Sequence, residues 1–352
     1  MRMKPSTPDG ERGARARVPL RLGLAGGGTD LSPYCDEYGG AVLNATIDRY
    51  AYAFIEHSED GQIHLVAPDV GTEEILSPDI NALSEGQLTL HAGVMQRIAT
   101  QYGGSRVAGL RITSFVDAPP GSGLGSSSAL VVALVEAFTT WFELPLGPYD
   151  VAHLAFEIER IDLGLAGGRQ DQYAATFGGI NFMEFLAGDR VIVNPLRVSP
   201  AVLNELEASL LICFSGLSRR SEAIIEEQRR RMSTAAPDAI ENLHRLKRDA
   251  IEMKEALLRG RVQQMATILN RSWDAKKRTA DEISNSKIEE LMEVGLSSGA
   301  LGAKVSGAGG GGFLMFIVPP ELRVRVTSAL NNAGGSASTV HLTDRGAIGW
   351  FR

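Results

Sequence analysis

Apolar positions along the chain follow two spacings, and their alternation lays out the elements. Across 17–25, Val18, Leu20, Leu22 and Leu24 recur at every second residue, the period of a strand with one buried face. Strand pattern resumes over 41–56 through Val42, Leu43, Ile47, Tyr50, Tyr52, Phe54 and Ile55, and over 63–67 after the Asp60-Gly61 turn. The spacing lengthens to helical over 88–102 and returns to strand over 107–116. From Ser126 to Trp141 it places Leu130, Leu134, Phe138 and Trp141 on one helical face. Pro148-Tyr149-Asp150 opens a further helix reaching about Ile161, and 179–186 reads as strand. Later, 210–214 has a buried-strand pattern, and Ile240, Leu243, Leu246, Ala250, Met253 and Leu257 predict a long amphipathic helix over 237–258. Helices are expected over 261–273 and 287–299, a strand over 313–318, a helix over 320–332, and terminal strands over 339–342 and 347–351. Strands and helices mix without a regular βαβ alternation, which predicts an α+β fold.

At 352 residues the chain is long for one ordinary core and predicts two domains, 17–190 and 191–352. Residues 1–16, rich in Pro, Gly, Arg and Ser, read as a mobile tail without the apolar stretch of a signal peptide. A hydrophobic fraction of 44% with 22% charged residues is that of a globular protein. The formal net charge of −7 leaves no basic field for a nucleic-acid partner. Cys35 and Cys213 stand in unrelated contexts and six histidines are scattered, so neither a disulfide framework nor a zinc spacing is predicted. No apolar run approaches the roughly 20 residues of a bilayer span, so a membrane partner is not expected and the cytoplasm is the expected location.

Three glycine-rich segments sit at element ends: AGGGTD (25–30), PPGSGLGSSSA (119–129) and KVSGAGGGGF (304–313). Backbone approaches an anionic ligand closely only where Cβ atoms are missing, so the three together suggest one polyphosphate site assembled from distant sequence. In the central segment Gly121, Gly123 and Gly125 precede Ser126, Ser127 and Ser128 at a helix start, where unpaired N–H groups and the macrodipole attract phosphate. No Lys follows the last glycine, so this is not a Walker A loop, and Ser126 stands where a dinucleotide fingerprint needs glycine. A glycine-rich turn with a serine cap is the plainer alternative.

In the first segment, Arg21 lies within the strand, and Gly27, Gly28, Thr29 and Asp30 form a loop whose carboxylate suits sugar hydroxyls or caps the next element. In GGRQDQYAATFGG (167–179), Asp171 lies between two Gly-Gly pairs and is expected to project from between two turns. Glu157 and Glu159, two residues apart on the helix 150–161, point to different faces. Lys304 precedes the third segment and Ser306 lies inside it, which favours a functional loop over a plain hairpin.

Taken in order and spacing, these three segments resemble the GHMP kinase superfamily of galactokinase, homoserine kinase, mevalonate kinase and phosphomevalonate kinase, over nearly the whole chain from about residue 16. Galactokinases and mevalonate kinases carry Gly-Glu-His where this chain has Gly26-Gly27-Gly28. The opening AGGGTDLSPYCDEYGGAVLNATIDRYAY (25–52), GGRQDQYAATFGG and FSGLSRRSEAI (214–224) are similar instead to the D-glycero-D-manno-heptose 7-phosphate kinase group. Related bacterial fucokinases share a similar opening.

The resemblance implies two α+β domains with the active site in the cleft between them, and ATP and Mg²⁺ as cofactors. It implies nucleotide contacts from Pro120, Gly121, Gly123, Leu124, Gly125, Ser126, Ser127 and Ser128, with Gly309 and Gly310 closing over the phosphates. Asp171 matches the catalytic aspartate and Arg21 the residue that stabilises the deprotonated hydroxyl. Ser127 and Glu159 match the Mg²⁺ contacts, and Asp30 the sugar-binding aspartate. Gly27, Gly28, Thr29, Gly168, Arg169 and Lys304 are expected beside the substrate.

The substrate implied is D-glycero-D-manno-heptose 7-phosphate, phosphorylated at C1 towards nucleotide-activated heptose for surface polysaccharide. The alternatives are a fucokinase or other hexose 1-kinase, and a non-catalytic sugar sensor on the same fold. A 7-phosphate needs a basic receptor, for which Arg169, Arg219, Arg220, Lys276, Lys277 and Lys304 are available. A homodimer is left open.

Overall fold

The computed structural model describes residues 13–77, 86–103, 107, 109–218, 222–234 and 237–352. Arg219, Arg220 and the first twelve residues of the expected tail lie outside them.

The strand patterns of the first half build one large mixed sheet. It contains β1 (Ala14–Ala25), β2 (Gly40–His57), β3 (Ile63–Ala67), β4 (Thr72–Leu76), β5 (Leu110–Val116), β6 (Ile180–Phe185) and β7 (Val191–Pro195). β2 is its spine: it runs antiparallel to β1, pairs through 51–57 with β5 and through 40–45 with β6. The β1–β2 register slips between Pro19 and Leu20, where proline has no N–H to give the ladder. β3 pairs parallel with β5, and β4 closes that edge. The helices α2 (Thr89–Tyr102), α3 (Ser126–Phe142) and α4 (Pro148–Glu157) fall where helices are expected, each within a few residues.

A second, four-stranded antiparallel sheet has the order β11 (Ser336–Ser338), β8 (Leu210–Phe214), β10 (Phe313–Ile317), β9 (Gly302–Val305). Side chains alternate across it. Leu210, Ile212, Met315 and Ile317 face the core shared with the large sheet, whereas Leu211, Cys213, Leu314 and Phe316 face a second apolar cluster with Ile288, Leu291 and Leu330. Both faces are thereby buried, against α8 (Pro237–Leu258) and α9 (Val262–Lys277) on one side and α10 (Ser286–Ser297) and α11 (Arg323–Asn332) on the other.

Several expectations are corrected. β1 begins at Ala14, and Ala14 and Ala16 are fully buried, so the last residues of the expected tail are strand. The boundary at 190 does not divide the structure. β7 pairs with β6, and the C-terminal β12 (Ile348–Phe351) returns to pair with β1, so both belong to the large sheet. The main core is continuous across the boundary, joining Leu20 and Leu22 of β1 to Leu210, Met253, Met265 and Met315. Of the strand expected over 339–342, the structure has a single bridge from Leu342 to Ile47. Strands β4 and β9 and helices α1 (Tyr34–Tyr38), α5 (Gln170–Phe177), α6 (Pro200–Ser209) and α7 (Glu222–Ser233) were not foreseen, being short or polar.

A core shared in this way predicts that both halves unfold together. Variants retaining only Trp141, beside the large sheet, or only Trp273, in the second cluster, should show coincident urea midpoints by fluorescence. Met253→Ala should lower both midpoints together, by the equivalent of about 2–5 kcal/mol of unfolding free energy. Separate midpoints would mean that the shared core does not couple the halves.

Candidate active site

The phosphate-binding candidate is the turn before α3. Its N-cap, Gly125, has φ +74° and offers no side chain, so the first N–H groups of the helix are left for a ligand. Every carbonyl from 122 to 124 is used inside the protein. Ser122 O accepts from Phe313 N at 2.8 Å, Gly123 O from Arg21 Nη1 at 2.6 Å and Ser306 Oγ at 3.0 Å, and Leu124 O from Arg21 N at 3.0 Å. Leu124 is fully buried and anchors the turn rather than facing the cleft. The cleft itself measures about 380 Å³ and runs from Pro120, Gly121 and Ser126–Ser128 to Gly27, Gly28 and Asp30.

The third glycine segment joins β9 to β10, and here the expected contacts shift by two residues. Gly307 and Ala308 line the cleft, whereas Gly309 backs onto Ile283 and Gly310 is held by Ile283 O and Asn285 Nδ2, at 2.8 and 3.0 Å. The reason is the packing of the two loops. A Cβ on Gly123 would strike the backbone of Ser306, so the segment meets the phosphate loop through its first residues.

Asp171 does not project from a turn: it lies in the first turn of α5, where the helix dipole favours a carboxylate. Arg21 Nε and Nη2 both reach Asp171 Oδ1 at 2.7 Å, and both residues line the cleft beside Gly125. The glycine pairs have separate tasks. A Cβ at Gly168 would collide with the Asp30 carboxylate and one at Gly167 with the Arg160 guanidinium, so this pair admits two charged side chains. The second pair ends α5 and packs on the returning segment at 344–346.

Asp30 is nearly buried at the far end of the cleft from the phosphate-binding candidate, accepting from Gly28 N at 3.1 Å and from Gln170 N and Nε2 at 3.2 Å. Thr29 turns away from the cleft. Its hydroxyl donates to Gly26 O or Ala41 O (2.8 and 2.9 Å) and accepts from Ala41 N, so it fastens the loop to β2 instead of meeting substrate. Arg169 also lies outside the main cleft, held by Asp189 at 2.7 Å and Asp36 at 3.3 Å.

Glu159 sits in a π-helical turn (158–162) after α4, a local widening that often carries function. Its carboxylate takes the hydroxyls of Ser127 and Ser128, each at 2.7 Å, and Gln172 Nε2 at 2.7 Å, with Arg160 at 3.3 Å. Glu159 and Ser127 both line the cleft. Two hard oxygen donors beside a phosphate loop fit Mg²⁺, which keeps waters and nucleotide oxygens as its other ligands. No cluster of three or more His, Cys, Asp or Glu that could hold a metal occurs among the described residues. Gln172 and Arg160 had no sequence signal beyond lying beside Asp171 and Glu159.

Two lysines come from the later half. Lys276 lines the cleft and donates to Gly27 O at 3.0 Å; burial pushes its pKa down to about 8, against the pull of Asp30. Lys304, expected beside the substrate, is instead sealed under β1, donating to Gly23 O at 2.8 Å. Burial, with Lys276 and Arg21 nearby, pushes its pKa down to about 7.

A phosphate turn at a helix start, a carboxylate–arginine pair and a carboxylate–serine cluster around one cleft are the parts of a phosphoryl-transfer site. Residues 89–179 match the GHMP kinases N terminal domain, and residues 253–336 match GHMP kinases C terminal. The chain is 42% identical to D-glycero-alpha-D-manno-heptose 7-phosphate kinase of Campylobacter jejuni over 342 residues, covering 96% of this chain and 98% of that protein. The crystal structure of a D-glycero-D-manno-heptose 1-phosphate kinase from Bacteroides thetaiotaomicron superposes with a TM-score of 0.81 at 43% identity, covering 96% of this chain and 98% of the other. A bifunctional fucokinase/GDP-fucose pyrophosphorylase of Arabidopsis thaliana is 27% identical over 90% of this chain, which spans 31% of that protein. The chain belongs to the GHMP kinases, and its chemistry is ATP-dependent phosphoryl transfer. Among the described residues no helix is long and apolar enough to cross a membrane.

The state of Lys304 is testable through stability. Its pKa is about 7 folded against an ordinary 10.5, so between these values the unfolded chain holds the extra proton and stability rises with pH. Lys304→Met should lose this rise. The free-energy difference between wild type and variant, from urea titrations at pH 6 to 10, should move in favour of wild type as pH increases. A constant difference would mean that the buried amine does not titrate in this window.

Proposed function

We propose that this enzyme transfers the γ-phosphoryl group of ATP to the anomeric hydroxyl of D-glycero-α-D-manno-heptose 7-phosphate. The product would be the 1,7-bisphosphate, a precursor of nucleotide-activated heptose for surface polysaccharide. ATP supply makes the cytoplasm its place of action. The observation that carries the reading is the Arg21–Asp171 pair, placed directly beside the phosphate turn with Asp30 further along the same cleft. The full-length likeness to a heptose 7-phosphate kinase supports the choice of sugar.

The acceptor hydroxyl would stand at Asp171, which takes or orients its proton, while Arg21 balances the negative charge that grows on the oxygen. Arg21 is well fixed for this: its main chain and side chain both hold carbonyls of the phosphate turn, so acceptor and donor are positioned by one residue. The N–H groups at the start of α3 would hold the nucleotide phosphates, and Asp30 the sugar hydroxyls. Mg²⁺, held by Ser127 and Glu159, would neutralise charge on the transferring phosphate.

Asp171→Asn keeps the size of the side chain and a hydrogen bond but removes basicity, so turnover should fall by roughly 10²-fold or more while sugar binding persists. Calorimetry on the same variant checks the second half of that statement; near-native turnover would refute the role. For the substrate, heptose 7-phosphate and L-fucose are offered at equal concentration. Preferred turnover of heptose 7-phosphate is expected, and preferred turnover of fucose would replace the heptose reading with a fucokinase.

A further inference from the structure

Asp30 lines two cavities. One is the main cleft, and the other measures about 220 Å³ and shares Arg160, Leu165 and Gly167 with it as a common wall. No residue of the phosphate turn reaches the second cavity, so it adjoins the sugar end alone. Its lining is rich in guanidinium groups, from Arg160, Arg169 and Arg229, against the carboxylates of Asp30 and Asp189.

These groups are not equally committed. Arg160 is occupied by the carbonyls of Gly168, Leu165 and Ala166, by Ser128 and by Glu159. Asp30 is occupied by Gly28 and Gln170. Arg169 is buried, its guanidinium 5.6 Å from the Phe156 ring centroid, but one of its partners, Asp189, has a half-exposed side chain on a turn at φ +56°. Arg229, exposed on α7, has no side-chain hydrogen bond or ion pair among the described residues. Of the other basic candidates, those within the described residues fall elsewhere. Lys276 faces the main cleft, Lys277 faces Asp274 and Glu289, and Lys304 is under β1.

We propose that the second cavity receives the phosphate at the end of the sugar remote from the reacting hydroxyl, with Arg169 and Arg229 as its donors. This rests on the heptose 7-phosphate reading and says where that substrate's distinguishing group is read. Two guanidinium groups suit a phosphate dianion because each can present paired N–H donors to its oxygens. The incoming dianion takes the place of the exposed Asp189 carboxylate on Arg169, so the buried arginine is never left without a negative partner. Asp30, between the cavities, keeps the sugar ring in register with Asp171.

The test compares kcat/KM for heptose 7-phosphate and for the unphosphorylated heptose in wild type, Arg229→Ala, Arg229→Lys and Asp189→Asn. Arg229 is chosen because its side chain is exposed and makes no hydrogen bond or ion pair among the described residues. In Arg229→Ala the preference for the phosphorylated sugar should fall roughly 10-fold, through the sugar's KM and not that of ATP. Arg229→Lys should recover part of it. Asp189→Asn, which removes the competitor for Arg169, should raise the preference. An unchanged preference in Arg229→Ala, or equal losses for both sugars, would overturn the subsite. A wild-type enzyme with no preference for the phosphorylated sugar would instead defeat the substrate reading, and that is seen before any variant is made.

Discussion

The cleft depends on one close approach, between the backbone of the phosphate turn and the backbone of the β9–β10 loop. Gly123 and Gly307 face each other so closely that a Cβ on either would meet main-chain atoms of the other loop, and a Cβ on Gly312 would meet Ser122 O. Arg21 then fills the remaining gap, bonding to Gly123 O and lying within 3.5 Å of Ser306 Oγ. Three segments more than a hundred residues apart are thus locked by close main-chain contact, the Ser306 hydroxyl and one guanidinium. The phosphate turn keeps its shape because the small sheet presses on it, and the two sheets stay in register because they share the core beneath it. Loop shape, domain contact and placement of the Arg21–Asp171 pair are therefore one constraint.

Much of this was legible in sequence because the constraint is written in glycines. Where backbone meets backbone, residues cannot vary in size, and such runs stand out against any background. The apolar stripe of α8 was legible for a related reason, since Leu243, Leu246, Ala250, Met253 and Leu257 bury one continuous face. Short elements such as β9 and α5 were not, because four residues of strand or two turns of helix carry too few periods to be distinguished. Asp171 was singled out in the sequence but expected on a turn, since a run bounded by Gly-Gly pairs gives no sign of the eight-residue helix between them.

The misplaced ligands share a cause of their own. Thr29, Leu124, Gly309, Gly310 and Lys304 all lie within motif segments, yet they hold the loops in place and stand behind the surface that a ligand would meet. A motif fixes which backbone comes to the site; which side chains face inward depends on contacts with remote partners such as Ala41, Ile283 and Gly23. Gln172 and Arg160 went unnoticed for the converse reason. Both complete the surroundings of Glu159, and a residue whose work is to satisfy another charge has no pattern of its own.

The return of β12 to the edge of β1 has a consequence for how the chain is made. β1 carries Arg21, yet one of its two neighbours, β12, is synthesised only after all the elements between them. At roughly 5–20 residues per second, that edge stays without its partner for tens of seconds while all the other elements emerge. The unpaired side of β1 spans Ala14–Arg17, where Arg15 and Arg17 alternate with small buried alanines. Charged side chains on an open strand edge discourage pairing with another nascent chain. Arg15 and Arg17 thereby make the open edge of β1 a poor template for another chain until β12 is made.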